Sequence, residues 1–132
     1  MVRTRGLTHI ALTVADLERS TRFYRALLGA VEVYRDAALV QLQTPGTWDV
    51  IVLEQGMKNA GRSGGIAHFG FRLLDPADIE PAADAVTRAG GTITDKGEFV
   101  PGEPYLFATD PDGYEIEIWY ELPTPVDPSA AV

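Results

Sequence analysis

Residues 9–29, His-Ile-Ala-Leu-Thr-Val-Ala-Asp-Leu-Glu-Arg-Ser-Thr-Arg-Phe-Tyr-Arg-Ala-Leu-Leu-Gly, contain a complete strand-to-helix unit. Leu7–Val14 alternates in character, as a strand with one buried face must. Asp16 then offers a carboxylate to the unpaired N–H groups of a first helical turn. Leu17, Thr21, Tyr24, Leu27 and Leu28 fall on one face at helical spacing, and Gly29 suits the left-handed position that closes a helix. Arg19, Arg22 and Arg25 line the outer side and read as a solvated face.

The same unit recurs 59 residues later. Ile66–Leu73 repeats the alternation and places His68 where the first copy has His9. Asp75 or Asp78 can cap the second helix, Pro81 is tolerated in its first turn, and Ile79, Ala82, Ala83, Val86 and Ala89 form its apolar stripe. Gly90-Gly91 stops it. Three short strands are predicted after each helix, near Val31–Arg35, Ala38–Gln43 and Asp49–Glu54, and near Thr92–Asp95, Tyr105–Thr109 and Tyr114–Glu121. Asp110-Pro111-Asp112-Gly113 has the residues of a type I turn between the last two.

The chain thus reads as βαβββ written twice, an α+β fold whose curved mixed sheet carries its helices outside. Module one spans about residues 5–55 and module two about 65–121, within one domain of residues 1–122. A module of about 60 residues makes a poor core alone, so the two should fold together or pair across a dimer. Gln55–Gly65 is a Gly-rich connector without the Gly-Lys-Ser/Thr of a phosphate loop. Pro123–Val132, with three prolines and no periodicity, is expected to be a flexible tail.

Charge is unevenly placed. Of 132 residues, 19 are acidic and 11 basic, a net −8. Residues 1–94 are neutral, and residues 95–132 hold nine acids against Lys96 alone. No basic region is available to neutralise nucleic-acid phosphates. No apolar run approaches the ~20 residues of a membrane span, and no apolar signal core follows Arg3 and Arg5. The absence of cysteine excludes disulfides, thiolate metal sites and a Cys nucleophile. A cytoplasmic protein without nucleic-acid or membrane partners is the expectation.

Alternation sorts the side chains into faces. Ile10, Leu12 and Val14 point to the helix side, leaving His9, Ala11 and Thr13 opposite. His68, Gly70 and Arg72 are opposite Phe69 and Phe71, and Glu115, Glu117 and Trp119 are opposite Ile116 and Ile118. The only two histidines in the chain, at matching points of a repeat, therefore share a face with Glu117. Two imidazoles and a carboxylate form a ligand set for Fe2+, Mn2+, Zn2+ or Ni2+ that leaves positions open for substrate.

Three segments, the quoted residues 9–29, Ala67–Leu73 and Asp110–Trp119, resemble the vicinal oxygen chelate superfamily, which includes glyoxalase I, extradiol dioxygenases, fosfomycin-resistance transferases, methylmalonyl-CoA epimerase and bleomycin-binding proteins. The resemblance covers about residues 5–121. It implies that His9, His68 and Glu117 bind a divalent metal, and that two-module chains pair as homodimers. A fourth ligand of the family would fall on Val52, which cannot ligate. Glu54 lies two residues on and reaches the site only if the strand register slips. The resemblance to glyoxalase I and the epimerase is weakened by Val52, and that to extradiol enzymes by the lack of a third histidine. Their active-site tyrosine would fall near Phe107, with Tyr105 on the same face. Ala11 and the acidic second half suit a fosfomycin transferase poorly.

The expected function is metal-dependent chemistry, dioxygenase-like or lyase-like, on a small oxygenated molecule held through adjacent oxygens. Glu54, Tyr105 and Glu115 are the candidate catalytic groups. Arg72 is a candidate anion contact or a structural salt bridge. The alternative is a metal-free drug-binding protein resembling bleomycin-resistance proteins, which the acidic surface would suit.

Overall fold

The computed structural model describes residues 1–128; the last four residues of the expected tail, 129–132, lie outside the described residues. Module one runs β1 (His9–Val14), α1 (Leu17–Leu28), β2 (Val31–Arg35), β3 (Leu39–Gln43) and β4 (Val50–Gln55). Module two runs β5 (Phe69–Arg72), a 3-10 turn (Pro76–Asp78), α2 (Ile79–Ala89), β6 (Thr92–Glu98), β7 (Pro104–Thr109) and β8 (Glu115–Trp119). Each module forms its own four-stranded sheet, in the orders β1-β4-β3-β2 and β5-β8-β7-β6. In each, the first strand pairs parallel with the last and the remaining pairs are antiparallel.

Element ends depart from the sequence reading for local reasons. β5 is four residues long, so His68 stands just before the strand, not within it. β6 extends three residues past Asp95, carried by a register shift between Ile93 and Asp95 that keeps it paired with β7 to Glu98. Asp16 caps α1 through its side chain, which accepts from the Arg19 N–H, and Gly29 closes the helix at φ 65°. In module two Asp75 caps the 3-10 turn through the Ala77 N–H, whereas Asp78 makes no side-chain cap.

The buried face of α1 is wider than one stripe. Phe23 and Ser20 are buried alongside Leu17, Thr21 and Tyr24, because α1 packs on its own sheet and also on α2. Full burial of a side chain such as Phe23 is worth roughly 1.5–3 kcal/mol. The core is continuous between modules: Leu12, Val14, Val40, Leu42 and Leu53 join Val86, Leu106, Ala108, Ile116 and Ile118.

Polar groups fasten the halves together. The Asp110–Gly113 turn closes with a 3.0 Å bond from the Gly113 N–H to the Asp110 carbonyl. It then inserts into module one. The Asp112 side chain, 2% exposed, accepts from the Ala15 N–H at 3.0 Å, the Ser20 hydroxyl at 3.0 Å and the Arg19 guanidinium at 3.1 Å. Arg19 is therefore partly a structural residue and not simply solvated. Tyr24 donates to buried Asp110 at 2.6 Å, and the Tyr114 hydroxyl donates to the Thr13 carbonyl at 2.8 Å. Burial raises the Asp110 carboxyl pKa against the opposing effect of the Tyr24 bond.

The first part of the expected tail is anchored. Asp127 accepts from both terminal nitrogens of Arg72 at 3.2 Å, and from the Thr124 N–H and hydroxyl. Among the described residues no helix is long and apolar enough to cross a membrane.

Two outcomes follow. Asp112→Ala strands the Ser20 hydroxyl and the Ala15 N–H, so chemical denaturation should show a loss of about 2–4 kcal/mol. The Arg72 fork and Thr124 hold the Asp127 carboxyl down from 3.8 to about 2. A depressed carboxyl contributes stability that is complete above the unfolded value and is lost as pH falls through the folded one. The Thr124 amide resonance should therefore titrate with a midpoint near 2, and Arg72→Gln should raise that midpoint toward the ordinary Asp value.

Candidate metal centre

Glu117 lies on β8 opposite Phe107 of β7 and Gly70 of β5. Its neighbours Ile116 and Ile118 are drawn to the helix side by alternation, and this turns the carboxylate onto the opposite, open face. Glu117 is only 9% exposed. The His68 Nε2 stands 3.8 Å from its carboxylate. That distance is too long for a hydrogen bond. Burial raises the Glu117 pKa, and His68 opposes the rise.

Gly70 makes this proximity possible. A Cβ there would stand 3.2 Å from the Glu117 carbonyl oxygen and 3.4 Å from its Cβ, so any larger residue would crowd the strand that carries the carboxylate. The His68 ring in turn packs edge-on against Phe107, with centroids 5.0 Å apart. An exposed imidazole and a largely buried carboxylate that accepts no hydrogen bond among the described residues form an incomplete ligand set, and a cation would neutralise the carboxylate charge.

His9 is not brought to this pair. Among the described residues no group of three or more His, Asp or Glu side chains lies close enough to hold a metal. The sequence reading put three side chains on one face of one sheet. The structure instead puts His9 on the exposed edge of sheet one, Glu117 on sheet two, and His68 just ahead of that sheet's first strand. β1 and β5 are edge strands that do not pair with each other, and His9 and His68 both line a cleft of about 970 Å³ between them. Leu7, Ile10, Phe69, Phe71 and Leu73 make much of that cleft apolar.

The repeat register places Val52 against Ala11 as Glu117 stands against Gly70, so Val52 occupies the Glu117 position of module one. Glu54 keeps the unslipped register, opposite Thr13 and Leu39, and is exposed. Module one therefore presents a histidine without a carboxylate partner. Glu115 is exposed opposite Thr109, one alternation step from Glu117, and lines a separate cavity of about 200 Å³ with Thr13, Asn59, Arg62 and His68. Tyr105 stands opposite Trp119, one step beyond Phe107. Its hydroxyl donates to Asp95 at 3.2 Å, and burial followed by Asp95 raises its pKa.

Two features escaped the sequence reading. Phe99 stacks on Tyr105, centroids 4.2 Å apart, and Tyr105 meets Phe107 at 5.6 Å, so an aromatic ladder ends at His68. Alternation along β7 pairs Tyr105 with Phe107, but Phe99 follows β6 in an irregular loop and carries no periodic signal. Arg72 is taken up by Asp127, a contact spanning 55 residues that no local pattern encodes.

This architecture and chain order define a known class. The chain belongs to the Glyoxalase/Bleomycin resistance protein/Dioxygenase superfamily, whose family model matches residues 6–118. It is 30% identical over 126 residues to a manganese-dependent 2,3-dihydroxybiphenyl 1,2-dioxygenase of Geobacillus genomosp. 3, covering 91% of this chain and 38% of that protein. It thus spans well under half of that relative. It is 28% identical over 130 residues to a lactoylglutathione lyase of Haemophilus influenzae, covering 84% of this chain and 89% of the relative. Among solved structures, the fosfomycin resistance protein FosX of Mesorhizobium loti is 26% identical, with a TM-score of 0.74 over 91% of this chain and 95% of that one.

A carboxylate buried without a compensating donor lowers stability in the metal-free protein. Glu117→Gln, which removes the charge and keeps the shape, should therefore raise the thermal midpoint of metal-free protein at neutral pH. Differential scanning calorimetry reads this directly.

Proposed function

We propose that this protein is a metal-dependent enzyme acting on a small molecule that presents two adjacent oxygens, and that its metal site is completed between two copies of the chain. His68 and Glu117 of one copy and His9 of a second are the ligands. The observation that carries this reading is the division of the donor set: module two holds a histidine and a buried carboxylate without a hydrogen-bond donor, and module one holds an exposed histidine with no carboxylate. The exposed apolar surface beside His9 and His68 supports pairing, since Leu7 is 99% and Leu74 98% exposed. A patch of this kind on one chain is commonly covered by another.

A two-histidine, one-carboxylate set leaves coordination positions free, and a divalent ion held there supplies Lewis acidity for a developing oxyanion. The protein's own contribution is positional. Phe107 fixes the His68 ring edge-on, Gly70 keeps space beside Glu117, and Tyr105, oriented by Asp95, presents a hydroxyl on the same face. Tyr105 is the group best placed to hand a proton to a bound oxygen or take one from it. Glu115 and Glu54, both exposed, are the less favoured acid–base groups. The manganese dependence of the Geobacillus relative makes Mn2+ the first ion to test.

Elemental analysis of protein reloaded with Mn2+ should find about one ion per chain, and His9→Ala, His68→Ala and Glu117→Ala should each lower retention at least tenfold. Mixing His9→Ala with Glu117→Ala chains separates a shared site from an internal one. In a shared arrangement each mixed dimer regains one intact site of two, so random pairing restores about a quarter of the original content. A monomer in light scattering, or no recovery on mixing, would sink the shared site. Absence of metal after reloading, with retained binding of a basic glycopeptide, would favour the sequestration alternative.

A further inference from the structure

The open face of module two has an unusual charge arrangement around the His68–Glu117 pair. One row across the sheet runs Asp95, Phe107, Glu117, Gly70, and the next runs Gly97, Tyr105, Trp119, Arg72. These two rows hold two carboxylates, three aromatic rings and a single cation. Lys96, the other base of this sheet, alternates to the far side, where it pairs with Glu80 of α2.

That single cation is occupied. Both terminal nitrogens of Arg72 lie 3.2 Å from the Asp127 carboxylate, one of them also donates to the Glu121 carbonyl at 3.1 Å, and the Glu121 carboxylate is 3.7 Å away. This is the bidentate fork by which a guanidinium holds any carboxylate or phosphonate. Asp127 thus stands where an anionic group of a ligand would otherwise dock. Thr124 donates to both Asp127 oxygens and holds the carboxylate in place.

With Arg72 neutralised, these two rows present three aromatic rings and no arginine or lysine free to receive an anion. Ring faces carry negative quadrupole density, which attracts cations and stacks planar groups. An anionic group would give up its hydration at this face and find Arg72, its natural partner, already taken by Asp127. We infer that Asp127, by occupying Arg72, is a specificity-determining residue: it makes this face accept planar ligands that are neutral or cationic and reject anionic ones. The inference rests on the reading of the His68–Glu117 face as the ligand site.

The test is calorimetric titration of Zn2+-loaded protein, under exclusion of oxygen, with three catechols that share the two adjacent oxygens. They are 4-methylcatechol (neutral), 4-(2-aminoethyl)catechol (cationic) and 3,4-dihydroxybenzoate (anionic). The neutral and cationic probes should bind within about tenfold of each other, and the anion at least tenfold more weakly than the neutral one. Asp127→Asn should strengthen the anion and bring it within about threefold of the neutral probe, while the neutral affinity stays unchanged. Thr124→Val, which loosens Asp127 by another route, should shift the ratio in the same direction. Adding Arg72→Gln to Asp127→Asn should abolish the gain.

Equal affinity of the unmodified protein for anion and neutral probe, or an Asp127→Asn ratio that does not move, overturns the inference. So does failure of all three probes to bind. The metal reading fails separately. If Zn2+ does not bind, and probe affinities are the same with and without it, the shared metal site is wrong, and the charge order on the aromatic wall still reports on Asp127. If Zn2+ binds and the charge order is flat, only the role of Asp127 is lost.

Discussion

The Asp112 carboxylate is the contact on which the arrangement of the two modules depends. It is almost wholly buried, and three donors from module one converge on it: the Ala15 N–H just ahead of α1, the Ser20 hydroxyl and Arg19. Each is a charge-assisted hydrogen bond, stronger than a neutral one and costly to strand. Asp112 belongs to the turn that leads into β8. Fastening that turn to α1 also sets where β8 begins, and hence where Glu117 stands relative to module one. Tyr24 on Asp110 and Tyr114 on Thr13 repeat the fastening on either side.

This fastening works through the helices and the turn, and it leaves the first strands of the two sheets unpaired with each other. The cost is an open cleft with apolar walls and two free strand edges. The same arrangement keeps His9 away from Glu117. An edge strand and an apolar cleft are liabilities in an isolated chain. They would become assets where a second copy covered them, which is the physical basis of the proposed two-chain site.

Much of the plan was legible in the sequence. The repeat of His9 and His68, the helix signals from Asp16 to Gly29, and the alternation through Ile116, Glu117 and Ile118 each arise from periods of two or 3.6 that a linear chain displays. The register that equates Val52 with Glu117 was legible for the same reason, since both strands pair parallel with the strand carrying the histidine. The Phe99–Tyr105 stack and the Arg72–Asp127 pair were not. They join a loop or a tail to a strand, and no periodicity links the partners.

Read from sequence alone, the chain yields the two-module α+β plan, the faces of the strands, and His9, His68 and Glu117 as candidate ligands. These are consequences of local spacing. Which donors actually meet was decided by the tertiary structure alone. Whether two faces of a repeat converge depends on how the modules dock, and docking is set by long-range contacts such as Asp112 with Ser20. The fate of the acidic final third was decided in the same way. Asp112 became an internal fastener, Glu117 a desolvated carboxylate on the open face, and Asp127 the partner of Arg72, because each met a different neighbour from a distant part of the chain.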